Sequence, residues 1–331
     1  MDAEVASKVT AYLGLLAWGL PASLFYRTFY AFCNALGKPR VLMGIGLGAL
    51  ALHALLAWGL ALQGWAGEPL GVIGCGLSNI IIAWLACLGG AAYLAFGPLG
   101  KRYRPFADWA APDARRWREL LHLGLPMGLS NLVEITSFTL ISLFIASLGA
   151  TVVAGHRIVA NISALTYMLP LSLAIATMAA VGQAVGGRDW ARAHAAIKAG
   201  LLLSALLSTL VGVLLWLAAA PLIAAYTDDP AVRAVAGGLI IYVALYQFFD
   251  ALQTVAGHAL RAYRVTFVPM LVQTFCFWGV GLLGGSWLCY RWSPPLGVAG
   301  FWLASVISLV LAAAMLLPLL RKAMQATESP P

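Results

Sequence analysis

VVAGHRIVANISALTYMLPLSLAIATMAAVGQAVG, residues 152–186, carries one formal charge, Arg157, in a run long enough to cross a bilayer as a helix. A hydrocarbon core of about 30 Å takes about 20 predominantly apolar residues at helical rise. Working outward from this stretch, the same measure yields nine spans, at roughly 11–36, 41–64, 70–96, 123–147, 152–181, 196–219, 234–258, 265–289 and 296–320. Hydrophobic residues make up 62% of the 331 and charged residues only 10%, against about 25% charged in soluble domains. The chain reads as an all-α integral membrane protein.

The formal charge of +8 does not point to nucleic acid, because the basic residues lie in short loops between apolar runs rather than along one polar face. Taking alternate loops as one side, fifteen fall together: Lys38, Arg40, Lys101, Arg102, Arg104, Arg115, Arg116, Arg118, Arg188, Arg192, Lys198, Arg261, Arg264, Arg321 and Lys322. Only Lys8, Arg157, Arg233 and Arg291 fall on the other, and Arg27 lies inside a span. Positive loops stay cytoplasmic, which predicts a cytoplasmic C-terminus, with tail 321–331, and an outer Met1. The one long basic connection, 98–122, contains DARRWRELLHL, where Trp117, Leu120 and Leu121 share a helix face; this predicts a short helix at the membrane surface. The start, MDAEVASKVTAY, has acids where a signal peptide would be positive, so the first apolar run is expected to be retained. Five dispersed cysteines without CxxC or Cys/His spacing predict no metal site.

An internal repeat sets the architecture. PLGVIG at 69–74 and PLGVAG at 295–300 differ at one position, and upstream ALGKPR at 35–40 aligns with ALRAYR at 259–264. The first three spans thus resemble the last three, six spans later. An even period means parallel repeats about an axis along the membrane normal. On this reading 123–320 is a complete six-helix lobe, and 1–97 is the second half of another within a twelve-helix, two-lobe carrier. The expectation is that three further helices belong ahead of residue 1 and that transport by these 331 residues alone is impaired.

Two acids stand apart from the other ten. Glu134, in LSNLVEITSF, and Asp250, in LYQFFDALQT, fall in the middle of long apolar stretches. A carboxylate at a membrane-helix centre costs about 2.5–3.5 kcal/mol to insert and persists mainly where it faces an ion or substrate path. Burial disfavours an ionised carboxylate, while a cation beside it restores the charge, so such a group exchanges its compensating partner. Tyr246, four residues before Asp250, shares its helix face. Pairing with a buried polar group is the structural alternative, and Arg157 is the obvious partner for Glu134. With the spans ending at 147 and 152, however, helical rise puts the two about 12 Å apart in depth. Pro21, Pro126 and Pro170 interrupt spans and give bend points. An intramembrane protease is disfavoured, since neither a Gly-x-Gly-Asp motif nor HExxH occurs.

LGLPMGLSNLVEITSF (123–138), the run 152–186 and YQFFDALQTVAGHALRAYR (246–264) together resemble the multidrug and toxic compound extrusion (MATE) family, close to its NorM-like branch. The resemblance covers nearly the whole chain, aligned with spans four to twelve of a twelve-helix carrier. It implies cation-coupled antiport of cationic or amphipathic organic compounds by a multi-pass monomer in the bacterial inner membrane, among membrane lipids. The coupling ion is sodium or a proton, and no cofactor is expected. The family's glutamate, aspartate and aromatic hydroxyl match Glu134, Asp250 and Tyr246, which would also hold any sodium. Arg157 stands where the family usually has glutamine, and His53 and Ala57 where it often has asparagines. Arg157, Arg27, His53, Asn161, Gln183, Phe138 and Phe249 are the substrate or cavity candidates. The bland readings are that Asn161 and Gln183 hydrogen-bond between helices, His53 is an interior histidine and the aromatics face core or lipid. A lipid-linked oligosaccharide flippase of the same superfamily and a non-transporting fragment remain as alternatives.

Overall fold

Aspartate side chains open three of the helices. Asp113 accepts from the Arg115 amide, Asp189 from Arg192 and Asp229 from Ala231, each satisfying a first-turn N–H that has no partner inside its helix. Pro39 and Pro230 each start a helix, where a missing N–H costs nothing. The computed structural model describes residues 3–65, 67–103 and 113–328. Among them, nine helices are long and apolar enough to cross a membrane. These are α1 (Ala3–Ala35), α2 (Pro39–Leu62), α3 (Val72–Phe96), α4 (Ala114–Leu148), α5 (Ala150–Gly186), α6 (Trp190–Leu217), α7 (Pro230–Ala262), α8 (Phe267–Tyr290) and α9 (Val298–Glu328).

The helices agree with the nine expected spans but overrun several of their ends. The clearest difference is at 113–122, read from sequence as the end of a linker carrying a separate surface helix. Those residues instead form the first turns of α4, which runs on through Pro126 into the membrane segment. Hydropathy falls there because Arg115, Arg116 and Arg118 are exposed, yet nothing between Ala114 and Leu123 breaks a helix. Likewise α9 continues through the expected tail to Glu328. Residues 104–112 of the basic connection lie outside the described residues.

The chain divides into two compact units, Met1–Pro112 and Asp113–Pro331. In the first, α1 packs principally on α3, and a small core of Phe29, Cys33, Leu42, Leu94 and Leu99 holds them. In the second, α7 is central, packing against α5, α6 and α9. Its fully buried Val243, Ala256 and Leu260 meet Val159, Ile197 and Leu316 in the main core. Helix α6 shows why the packing is tight. Gly200, Ser204, Ser208 and Gly212 recur every four residues along its buried face, the small-residue stripe that lets membrane helices approach closely. A Cβ on Gly212 would lie 3.0 Å from the Ala244 carbonyl of α7. The opposite face exposes Leu203, Leu206, Leu210, Leu214 and Leu217, an apolar row suited to lipid.

The repeat has a structural cause. Gly71 and Gly297, third in PLGVIG and PLGVAG, take φ of +54° and +56°, left-handed values that glycine adopts without strain. The sixth residues, Gly74 and Gly300, touch backbone. A Cβ would come within 2.8 Å of Ala61 in the first case and 2.9 Å of Leu288 and Cys289 in the second. Both turns therefore enter a helix through a left-handed glycine and cross the preceding helix at main-chain contact. That preceding helix also carries a π-helical stretch in each unit, Trp58–Leu62 in α2 and Phe275–Gly284 in α8.

Candidate functional site: a carboxylate-lined cavity

Helices α4, α5 and α7 line a half-open cavity of about 280 Å³ whose lining includes Glu134, Phe138, Ser163, Tyr167, Tyr246 and Asp250. Three of these are the acids and tyrosine singled out from the sequence, and the fold brings them into one space. Glu134 projects from α4 and is half-buried, whereas Asp250 on α7 is only 3% exposed. Around them the wall is mostly apolar or aromatic, with Thr139 and Ser163 adding hydroxyl groups. Phe138 meets Tyr246 edge to face at 6.1 Å, and Tyr246 meets Trp302 at the same separation.

Neutral polar groups tie the two acids together. The Tyr167 hydroxyl donates to Glu134 Oε1 at 3.3 Å and lies against Thr254. Gln253 Nε2 reaches both Asp250 Oδ1 and Thr254 Oγ1 at 3.0 Å, so a chain of side chains runs Glu134, Tyr167, Thr254, Gln253, Asp250. Gln273 on α8 extends it, its Nε2 donating to Gln253 Oε1 at 3.4 Å. Arg261, counted from sequence as a loop residue, lies in the last turn of α7, bonds Asn131 Oδ1 at 3.4 Å and attracts Glu134 through space. Behind Glu134 a void of about 20 Å³ is bounded by Ser137, Ser305 and Ser308, room for about one water. Ser137 Oγ donates there to the Phe277 carbonyl in the π-helical stretch of α8, at 3.0 Å.

The remaining candidates are placed differently. Arg157 is exposed on α5 and makes no ion pair with Glu134 among the described residues, so the alternative of a direct pair between them is not what the fold shows. Its side of α5 leads instead to Asn161, whose Oδ1 accepts from Tyr226 at 2.9 Å in the loop before α7. Gln183 is exposed near the end of α5, away from the cavity lining. Phe249 packs into the core and against Phe248, with ring centroids 5.2 Å apart, so it does not line the cavity. Arg27, exposed on α1, and His53, whose Nδ1 is buried without a partner on α2, belong to the first unit. Asp229 caps α7 and Asp228 pairs with Arg233 at 2.8 Å, as a solvated turn would.

Sequence reasoning missed Gln253, Thr254 and Gln273. Gln253 had a signal, lying three residues from Asp250 on the same helix face. Gln273 had none, because its contact with Gln253 joins separate helices.

Comparison with known proteins agrees with this architecture. Residues 126–287 match the MatE family. A probable multidrug resistance protein NorM of Aromatoleum aromaticum is 52% identical across 98% of the chain and 71% of that protein. The multidrug resistance protein PmpM of Pseudomonas aeruginosa is 35% identical across 95% of the chain and 66% of its own length. Among solved structures, an outward-facing multidrug resistance MATE transporter of the MOP superfamily superposes with a TM-score of 0.87 at 17% identity. It covers 99% of this chain and 72% of that one. The eukaryotic MATE transporter AtDTX14 gives 0.82 at 18%, covering 95% and 71%. Carrying nine helices of membrane-crossing length and this degree of identity to NorM proteins, the chain belongs to the MATE family, on its NorM-like branch.

Proposed function

We propose that the chain exports cationic and amphipathic organic compounds, in multidrug efflux, in exchange for sodium or protons. One observation carries this reading: carboxylates from two different membrane-spanning helices line one cavity. The names of its relatives as multidrug resistance proteins support the efflux part. Glu134 and Asp250, with the hydroxyls of Tyr167 and Tyr246, offer oxygen ligands only, a set suited to a proton or a hard cation. The aromatic wall suits a flat organic cation, whose charge faces the rings and the carboxylates. Both occupants use the same negative charge, so binding one displaces the other, which is the basis of antiport. Alternating access then carries the loaded site across the membrane. The protein works as a monomer, with its C-terminus in the cytoplasm.

The test is efflux of ethidium from cells expressing the chain, with Glu134→Gln and Asp250→Asn beside the parent protein at matched membrane levels. Each variant is expected to lower the cation-dependent rate at least about tenfold, the loss of one charge-assisted contact of about 1.5–3 kcal/mol. Undiminished efflux from both would remove the cavity from the mechanism. Proteoliposomes with imposed sodium or pH gradients then distinguish the two coupling ions.

A further inference from the structure

A second void, of about 10 Å³, lies between α5, α6 and α7, and Glu134 takes no part in it. Its polar lining is Thr166, Ser204, Ser208 and Gln247, with Pro170 beside Thr166 and leucines closing the rest. Every hydroxyl proton there is already engaged. Thr166 Oγ1 donates to the Ile162 carbonyl at 2.9 Å, Ser208 Oγ to Ala205 at 3.1 Å, and Ser204 Oγ to Ala251 at 3.5 Å. Gln247, 1% exposed, donates through Nε2 to Thr166 Oγ1, which leaves its Oε1 buried with no partner. Pro170 lacks the amide that would bond the Thr166 carbonyl. Oxygen lone pairs from three helices thus face a small space whose hydroxyls offer them no donor.

A buried carbonyl oxygen without a donor forfeits the hydrogen bond it would have made to water, so the arrangement calls for an occupant. Water is one choice, but the volume is at the lower limit of the roughly 10–15 Å³ that a water needs. Sodium is smaller than water, potassium is not, and neutral oxygens are ligands that hard cations accept. A buried cation also needs a compensating charge. Asp250 supplies it, standing one turn along α7 from Gln247 and nearly as buried. We propose that Gln247 Oε1 and the hydroxyl oxygens of Thr166, Ser204 and Ser208 form a sodium site separate from the Glu134 cavity. Because the site joins α5, α6 and α7 beside Pro170, sodium there holds three helices of the lobe in one arrangement. The proposal does not depend on what the chain exports.

The test uses the purified full chain in detergent, with thermal unfolding followed as NaCl replaces KCl at constant ionic strength. Glu134→Gln disables the larger cavity and is expected to keep a sodium-specific rise in Tm. Adding Gln247→Met, which preserves shape but removes the oxygen, is expected to raise the half-saturating NaCl about tenfold or more. Ser208→Ala in the same background gives a second, smaller rise in that concentration and decides the matter if the methionine variant does not fold. Equal curves in NaCl and KCl for the parent protein would mean that the void takes water only, overturning the site. Loss of the sodium effect in Glu134→Gln alone, or its persistence with Gln247→Met, would overturn it as well.

Discussion

Arg157 and Tyr167 show how ten residues along one helix change the chemistry that a side chain meets. Helical rise separates them by about 15 Å, and it is Tyr167, not Arg157, that reaches Glu134. The charge on Arg157 was conspicuous in the sequence, but only depth decides whether it can act on a buried acid. Arg157→Gln is therefore expected to change the unfolding free energy by less than about 0.5 kcal/mol, as exposed substitutions do. Breaking a buried ion pair would instead cost about 3–5 kcal/mol. Chemical unfolding of the two proteins in one detergent separates these values, and a loss of several kcal/mol would place Arg157 against a buried acid after all. Glu134, Tyr246 and Asp250 were legible because an acid inside an apolar run stands out, and a tyrosine one turn away follows from helical spacing. The linking amides were not, since a neutral glutamine is cheap enough in a helix to go unnoticed until its partner is seen.

At the level of elements, the nine helices could be read from hydropathy because each must satisfy its own backbone within lipid. Their ends could not. Hydropathy marks where a chain leaves the membrane, whereas a helix stops only where caps, glycine or proline stop it, and α4 begins nine residues before the apolar run at its Asp113 cap. The repeated glycines were visible as matching letters but not as contacts. In the structure Gly300 touches the backbone of Leu288 and Cys289, which cannot yield as a flexible side chain would. Gly300→Ala is thus expected to destabilise the second unit by about 1–3 kcal/mol through overpacking. Gly237→Ala, on an exposed face of α7 with nothing within 4 Å of the new methyl group, serves as its partner and should change stability little. Equal unfolding midpoints for the two alanine variants would show that α8 and α9 separate more easily than their backbone contact implies.

For the whole molecule, the distribution of cores matters more than the number of helices. The second unit, Asp113–Pro331, holds its own large buried cluster, and Glu134, Tyr167, Tyr246, Gln253, Asp250 and Gln273 all lie within it. Among the described residues, the hydrogen bonds that link the two acids are made inside this unit, so these six helices carry the linking groups of the site. Transport is a different demand, because a site must be opened to each side in turn. Binding and transport should consequently come apart when the chain is cut at the unit boundary. Residues 113–331, expressed and purified without the first unit, are expected to unfold in a single cooperative transition. They should bind ethidium with a Kd within about tenfold of the intact chain, a difference of about 1.4 kcal/mol. Fluorescence anisotropy in detergent measures this, and the Glu134→Gln, Asp250→Asn double variant of the fragment should abolish binding while keeping the unfolding transition. A fragment that unfolds without a transition, or that binds the dye equally with and without the two carboxylates, would mean that the cavity is completed by Met1–Pro112 and is not a property of the six-helix unit.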